Sequence, residues 1–308
     1  MKSSIVVATY NGANYIIEQL ESIKNQTKKV DEVIICDDKS NDGTYEIIEL
    51  YIRNNNLSNW TVYLNDDNLG YANNFFYATL KATNDIIFFC DQDDIWEADR
   101  IQIMIELFEN NKSINLLCSE FVPFYTGDNI DKLSPDVLNK MTYDNNLEKK
   151  ILSYKNIFIG AEGCTMAFRK DFLDKIKEYW FSGWAHDEFL WKMAVCDNSC
   201  YMLHKSTLKR RIHGQNVSIK KMHRKDVRIS FLEKLYESHI QIMKYSRDTH
   251  KDKYTLKIIQ ENIDSVKLRL DLLSKKHIWN IIPLTIKYWN CFHSRKSILM
   301  ECIIALKG

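Results

Sequence analysis

Ile86 to Cys90 is wholly apolar and runs straight into Asp91, Gln92, Asp93 and Asp94. Such a run is too short for a helix and reads as a strand buried on both faces, as in a parallel sheet covered by helices. The carboxyl ends of those strands are where α/β sheets hold ligands. Three acids gathered there repel one another and resist desolvation unless a cation or a hydrogen-bonded partner compensates. Carboxylate oxygens suit hard divalent cations, and Mg²⁺ is commonly held by one or two carboxylates together with substrate phosphates. The pattern therefore points to metal-assisted handling of a phosphate-bearing substrate. A solvated acidic turn is the alternative for any Asp-x-Asp taken alone, and the surrounding elements must separate the two.

Those elements alternate in period over the first 120 residues. Ile5 to Ala8 predicts a strand, and Ile16, Leu20 and Ile23 fall at helical spacing. Val33 to Cys36 predicts a second strand closing on Asp37 and Asp38. Ser40 to Gly43 is turn chemistry before a helix carrying Ile47, Ile48 and Tyr51, and Trp60 to Leu64 predicts a third strand. Asn68 to Gly70 opens a helix with Phe76 and Leu80. The acidic strand follows, then an amphipathic helix with Ile101, Met104, Ile105 and Phe108, then a strand over Ile114 to Cys118. Strands alternating with helices predict a doubly wound, mostly parallel α/β sheet. Its topology brings Thr9, Asp37, Asp38 and Asp91 to Asp94 to one crevice.

Residues 121–160 carry Pro123, Pro135 and many Asn and Asp, which predicts a long loop of the kind that builds an acceptor pocket. Gly163 to Phe168 reads as a strand. Trp184 to Asp187 leads into a helix with Leu190, Met193 and Ala194, placing Asp187 at a helix start that favours its ionised form and lowers its basicity somewhat. From residue 221 the pattern is helical. Leu256, Ile259, Ile263, Val266, Leu270 and Leu273 form a heptad-like seam that must pack on another helix, of this chain or of a second copy. Ile278 to Leu306 interleaves Trp279, Ile281, Ile282, Leu284, Trp289 and Phe292 with Lys275, Lys276, Lys287, Arg295 and Lys296. That mixture fits a helix lying in a membrane interface, or a packed core with a basic outer face.

The chain has 308 residues, enough for one large domain or two. Lys and Arg total 42 against 41 Asp and Glu, which leaves no global nucleic-acid footprint. The eight cysteines form no Cys-x-x-Cys pair, and several sit in apolar runs, as reduced buried thiols do. The first residues are unlike a signal peptide, and no apolar stretch reaches the roughly 18–20 residues of a spanning helix. A cytoplasmic protein is the expectation.

Val7 to Gly12, Ile35 to Thr44 and Asp91 to Asp94, in this order, resemble the nucleotide-sugar domain of glycosyltransferase family 2. Asp91-Gln92-Asp93-Asp94-Ile95-Trp96, preceded by Asn73 to Phe75 and followed by His186-Asp187 and Arg211 to Ser218, looks most like the rhamnosyltransferase-type branch. The resemblance covers about residues 1–220. It implies a GT-A fold over 1–220, while the helical C-terminal region, 221–308, carries no motif of the family and is read from its own pattern as contacting membrane or forming oligomers. It implies an inverting transferase passing a sugar from a UDP- or dTDP-sugar to a hydroxyl of a glycan or lipid-linked acceptor in bacterial surface-polysaccharide synthesis. Carried onto this chain, Thr9, Tyr10, Asn11, Asp38, Asn74 and Asp91 bind the nucleotide sugar. Asp91 and Asp93 bind Mn²⁺ or Mg²⁺, and Asp187 is the base. Here His186-Asp187 continues with Glu188 and Phe189, where that branch usually has aromatic residues, and Ala8 stands where many members have Pro or Ser.

The chemistry explains why these residue types are needed. Charge develops on a departing diphosphate, which a bound cation stabilises, and an acceptor hydroxyl must give up its proton to a carboxylate within reach. Asp187 is the candidate, with Glu188 as runner-up. His213 suits a further metal ligand or a structural loop histidine, and Arg210 and Arg211 suit the diphosphate. Trp96 and Trp184 suit a sugar face or the core. A calcium loop fails, since Ile95 and Trp96 stand where an oxygen ligand and a glycine are required. A receiver domain has acids where Thr9 and Tyr10 lie, and a nucleotidyltransferase has a basic Gly-rich loop that Thr9 to Asn14 lacks. A non-catalytic sugar-nucleotide-binding protein on the same fold is the alternative.

Overall fold

The structure is a computed structural model that describes residues 1–127, 130, 132–214 and 224–307, without the side chains of Asp136, Arg295 and Lys307. Its described elements run β1 (Ser3–Thr9), α1 (Ile16–Lys24), β2 (Glu32–Asp37), α2 (Thr44–Asn54), β3 (Trp60–Leu64), α3 (Tyr71–Thr79), β4 (Ile86–Asp91) and β5 (Ile95–Trp96). Then follow α4 (Arg100–Asn110), β6 (Leu116–Tyr125), α5 (Pro135–Leu138), β7 (Leu147–Lys150), β8 (Met166–Arg169), α6 (Lys170–Ile176), α7 (His186–Cys196) and β9 (Cys200–Ile212). The chain closes with α8 (Lys225–Asp248), α9 (Lys253–Lys275), α10 (Ile281–Ile286) and α11 (Arg295–Lys307).

Among the described residues the strands form one sheet in the order β3-β2-β1-β4-β8-β6-β9-β5, with β7 against β9. β3, β2, β1 and β4 are mutually parallel, as the βαβα alternation requires. Register aligns Thr9 with Asp37 and Ala8 with Asp91, so the acidic tips do share one edge. The second half departs from the parallel expectation. β8 runs antiparallel to both β4 and β6, while β9 lies parallel to β6. β9, thirteen residues long, carries no simple alternation because most of it is buried and its pairing with β6 is interrupted by register shifts. Inside the segment expected to be a loop, β6 continues to Tyr125 and β7 adds an edge strand. Gly163 to Thr165 is a 3₁₀ turn, and the strand begins only at Met166.

One apolar layer, with Ile5, Val7, Ile16, Leu20, Met104 and Phe108, packs α1, α2 and α4 on one face of the sheet. The other, with Phe75, Phe89, Phe168, Trp184, Phe189 and Trp191, packs α3, α6 and α7 on the opposite face and includes Ile242, Ile258 and Ile263 of α8 and α9. The helical region therefore shares its core with the sheet. The seam on α9 packs against α8 of the same chain. The observed buried face is Ile258, Ile259, Asn262, Ile263, Val266, Arg269, Leu272 and Leu273, so Leu256 and Leu270 sit at its margin. Leu284, Phe292 and Ile304 fold onto Leu232, Leu235 and Val266. Ile278, Trp279, Ile282, Ile286 and Trp289 stay exposed. Trp96 and Trp184 are core residues. All eight cysteines are free, seven of them buried. No helix among the described residues is long and apolar enough to cross a membrane.

Candidate active site

The tips of β1 and β2 are tied into one corner. Thr9 Oγ1 donates to Asp37 Oδ2 at 2.7 Å, and Asp37 also accepts from the Ser40 amide and hydroxyl. Asn11 takes up a left-handed φ of 50° and accepts the Asn41 amide on its side-chain oxygen. Gln92 bridges the β4 tip to this corner, accepting from the Tyr10 amide at 2.8 Å and donating to the Tyr10 carbonyl at 3.0 Å. A Cβ at Gly12 would lie 2.3 Å from Gln92 Oε1, so the bridge demands glycine there. Gln92 and Gly12 were not singled out from the sequence, although both lie inside its motifs.

Asp38 is buried and accepts from Asn65 Nδ2, the Leu69 amide and the Gly70 amide, three of the roughly four hydrogen bonds a carboxylate can take. It thereby anchors the entry to α3. Asn74 lies beneath it, accepting from Asn65 Nδ2 and donating to the Cys36 carbonyl. Tyr10 is half exposed beside them.

At the β4 tip the acids divide. Asp91, Asp94 and Cys164 place one ligand atom each within 4.8 Å of one another. Asp93 instead meets His213, Oδ2 to Nε2 at 2.7 Å, so the two residues assigned to metal binding from distant motifs are brought together. Asp94 accepts the Arg211 amide through Oδ1, while among the described residues its buried Oδ2 has no hydrogen-bond donor at ordinary geometry and the Cys164 thiol lies close to the carboxyl. Burial, and then the charge of Asp93, lifts the Asp94 carboxyl to about 7. Burial followed by the charges of Asp94 and Asp93 pushes Asp91 well above the usual range. The Cys164 thiol is likewise held protonated by burial, so the carboxylates are the better donors. An orphaned carboxylate oxygen within a self-repelling acid cluster is the environment a hard divalent cation relieves, while His213 is held by Asp93 outside the Asp91, Asp94 and Cys164 group.

Arg211 is the clamp of this corner. It donates to the Asp93 carbonyl at 2.8 Å and to Glu18 Oε2 at 2.6 Å, and its guanidinium lies over Tyr15 and Phe124. Arg210 pairs with Glu162 at 3.1 Å while lowering the pKa of Asp91 and Asp94 through its charge. Arg100 is fully buried, donating to the Thr207 hydroxyl and the Cys164 carbonyl with its guanidinium over Trp96. The only sequence signal for it is a cation beside the apolar face of a helix. Gln215 to Ser218, part of the resembling motif after His213, lie outside the described residues.

Asp187 is the second residue of α7, its Oδ1 accepting from the Glu188 amide at 2.7 Å. The helix start was expected to lower its basicity. A helix dipole is worth about 0.3–1 kcal/mol, under one pK unit. Burial outweighs it and raises Asp187 to about 7, with Glu162 and Glu188 adding repulsion. Gly163 packs against it, since a Cβ there would lie 3.2 Å from the Asp187 Cβ. His186 stacks on Phe75 at 3.9 Å, and burial depresses it to about 3, so it is a neutral packing neighbour. Glu188, the runner-up base, is instead paired with Lys192 at 2.7 Å. Asp187 lies near enough to Asp91 for its charge to raise the Asp91 pKa.

A model of "Glycosyl transferase family 2" matches residues 4–176 of the 308. The dTDP-rhamnosyl transferase RfbG of Shigella flexneri is 30% identical over 70% of this chain and 75% of its own length. TuaG of Bacillus subtilis, assigned to teichuronic acid biosynthesis, is 28% identical over 52% of this chain and 62% of its own. Among solved structures, S. aureus TarS in complex with UDP-GlcNAc superposes with a TM-score of 0.65 at 19% identity, covering 99% of this chain and 80% of that one. The mannosyltransferase PcManGT of Pyrobaculum calidifontis, bound to GDP-Man and Mn²⁺, gives 0.59 at 14% identity over 99% and 87%. The fold is that of the GT-A glycosyltransferases. With a match over more than half its length and a relative at this identity, the chain belongs to glycosyltransferase family 2.

Proposed function

We propose that the chain is a metal-dependent, inverting glycosyltransferase that moves a sugar from a UDP- or dTDP-sugar to a hydroxyl of a glycan or lipid-linked saccharide during bacterial surface-polysaccharide assembly. The observation that carries this reading is the carboxylate of Asp187, raised to about 7 and close enough to the acid cluster at the strand tips for its charge to act on Asp91. Thr9, Tyr10, Asn11 and Asp38 form the corner that receives the nucleoside, with Asn74 fixing Asp38 through Asn65. Asp91 reaches both the ribose and the cation, and Asp93 with His213 completes the seat for Mn²⁺ or Mg²⁺. When bound, that ion offsets the negative charge developing on the departing diphosphate. The acceptor oxygen attacks the anomeric carbon as the bond to the diphosphate breaks, and the acceptor proton passes to Asp187. One displacement inverts the centre and needs no covalent nucleophile, which is consistent with every buried thiol lying outside this step.

The exposed Trp279 and Ile286, 83% and 77% accessible, sit among Lys275, Lys276 and Lys287. An apolar rim fringed by cations suits the anionic inner face of the cytoplasmic membrane, where a lipid-linked acceptor is met. This makes the protein a cytoplasmic, peripheral one, held through residues 221–308, with a homo-oligomer as the competing use of that surface. Slow hydrolysis of a panel of nucleotide sugars, with and without Mn²⁺, tests the central reading. Asp93→Asn is expected to lose at least tenfold in metal affinity and most turnover while its circular dichroism is unchanged. Normal turnover by that variant, or hydrolysis indifferent to a chelator, would overturn it.

A further inference from the structure

Glu188, the neighbour of Asp187, lines a cavity of about 570 Å³ between the start of α7 and the outer face of α8. Tyr71 from α3 and Trp184 from the loop before α7 form one side, and Val227, Phe231 and Lys234 from α8 the other. The size and the mainly apolar lining with a few polar groups are those of a small-ligand site.

Its polar members are fixed from behind. Glu188 is held at 2.7 Å by Lys192, which is wholly buried and donates in turn to the Ser238 hydroxyl of α8 at 2.7 Å. The loop carrying Trp184 is fastened to α3 through the Gly183 amide and Asn73 Oδ1 at 2.9 Å. Gly183 has a φ of +84°, and a Cβ there would stand 3.3 Å from the Lys234 ammonium. Lys234 makes no ion pair with a described residue. The cavity thus offers the Tyr71 ring, the carboxylates of Glu188 and Asp226 and the Lys234 ammonium, and Glu188 is the sequence neighbour of Asp187.

We propose that this cavity is the acceptor slot, and that it takes a saccharide carrying an apolar aglycone. The inference rests on the transferase reading above. The sugar's C–H face lies against Tyr71, Glu188 accepts from one of its hydroxyls and Lys234 donates to another, while Val227 and Phe231 receive the aglycone. Apart from Tyr71, every one of these residues lies beyond residue 176, where the family match ends. Tyr71 and Glu188 come from the sheet domain and Val227, Phe231 and Lys234 from α8, so both parts of the chain select the acceptor.

The test uses the full chain and four octyl glycosides, of glucose, galactose, N-acetylglucosamine and rhamnose, in isothermal calorimetry. At least one is expected to bind saturably. Val227→Trp fills the slot from a 40% exposed position on α8, so its melting temperature should match the parent's while the dissociation constant rises at least tenfold. Lys234→Ala, also exposed, should weaken binding several-fold. Unchanged affinity in Val227→Trp, or binding of none of the four glycosides by the parent chain, overturns the proposal. Calorimetry needs no turnover, so a parent chain that hydrolyses no nucleotide sugar counts against the transferase reading alone.

Discussion

Replacing Asp187 by Asn keeps the shape of the head of α7 and removes only the proton acceptor. Burial lifts this carboxyl from its ordinary value of 3.8 to about 7. Three pK units correspond to about 4 kcal/mol at 1.36 kcal/mol per unit, an upper bound because the side chain keeps partial contact with water. The folded-state value lies above the unfolded one. The associated stability is therefore fully present below about pH 4, erodes as pH rises, and is gone once pH passes about 7. Asp187→Asn escapes that loss. Free of ligands, it should melt with the parent near pH 4 and several degrees above it at pH 8, a gain on the order of 1–3 kcal/mol. Its activity should move the opposite way. Loss of a general base costs about 10²–10⁴ in rate, or roughly 3–5 kcal/mol of barrier. The assay is transfer kcat/KM from pH 5 to 9. The parent should climb about tenfold per pH unit to a plateau above about 7, and the variant should be low and flat. An Asn variant that retains the acidic limb, or works at the parental rate at pH 8, refutes the base assignment. A variant that melts below the parent at pH 8 refutes the burial argument.

Two further outcomes follow from the helical region. Glu301 is fully buried on α11 and receives Arg269 at 2.7 Å and Arg228 at 2.6 Å. Glu301→Ala strands two guanidinium groups and should cost about 3–5 kcal/mol in urea unfolding, with early proteolysis of α11; an unfolding midpoint equal to the parent's counts against the clamp. The double change Trp279→Glu and Ile286→Glu alters only exposed side chains. It should leave the melting temperature unchanged and sharply reduce co-sedimentation with phosphatidylglycerol vesicles. Undiminished vesicle binding excludes the membrane contact, and conversion of a dimer to a monomer assigns the face to a second copy.

Much of the first half was legible because its signals are local. Short apolar runs, turn residues at Ser40 to Gly43 and Asn68 to Gly70, and helical spacing on α1 and α4 each depend on neighbours within a few residues. β8 and β9 were less legible. A four-residue strand after a 3₁₀ turn, and a long strand with bulges against β6, draw their pairing from partners far away in sequence. The heptad seam on α9 showed that a partner helix exists, but the partner's identity depended on how α8 folds back.

The sequence by itself determined the strand-tip corner: the acids at strand ends, the turn chemistry and the family they resemble, since a strand's period and terminal residues fix what its tip presents. Tertiary structure decided the rest. It set Asp93 against His213, 120 residues apart, and left Asp94 with a buried oxygen that has no hydrogen-bond partner among the described residues. It also raised the Asp187 carboxyl to about 7, because desolvation depends on everything packed around a group and outweighs the short-range effect of its own helix. For the same reason the cavity beside Glu188 is written in no motif; three separate elements enclose it, and only their packing gives it a shape.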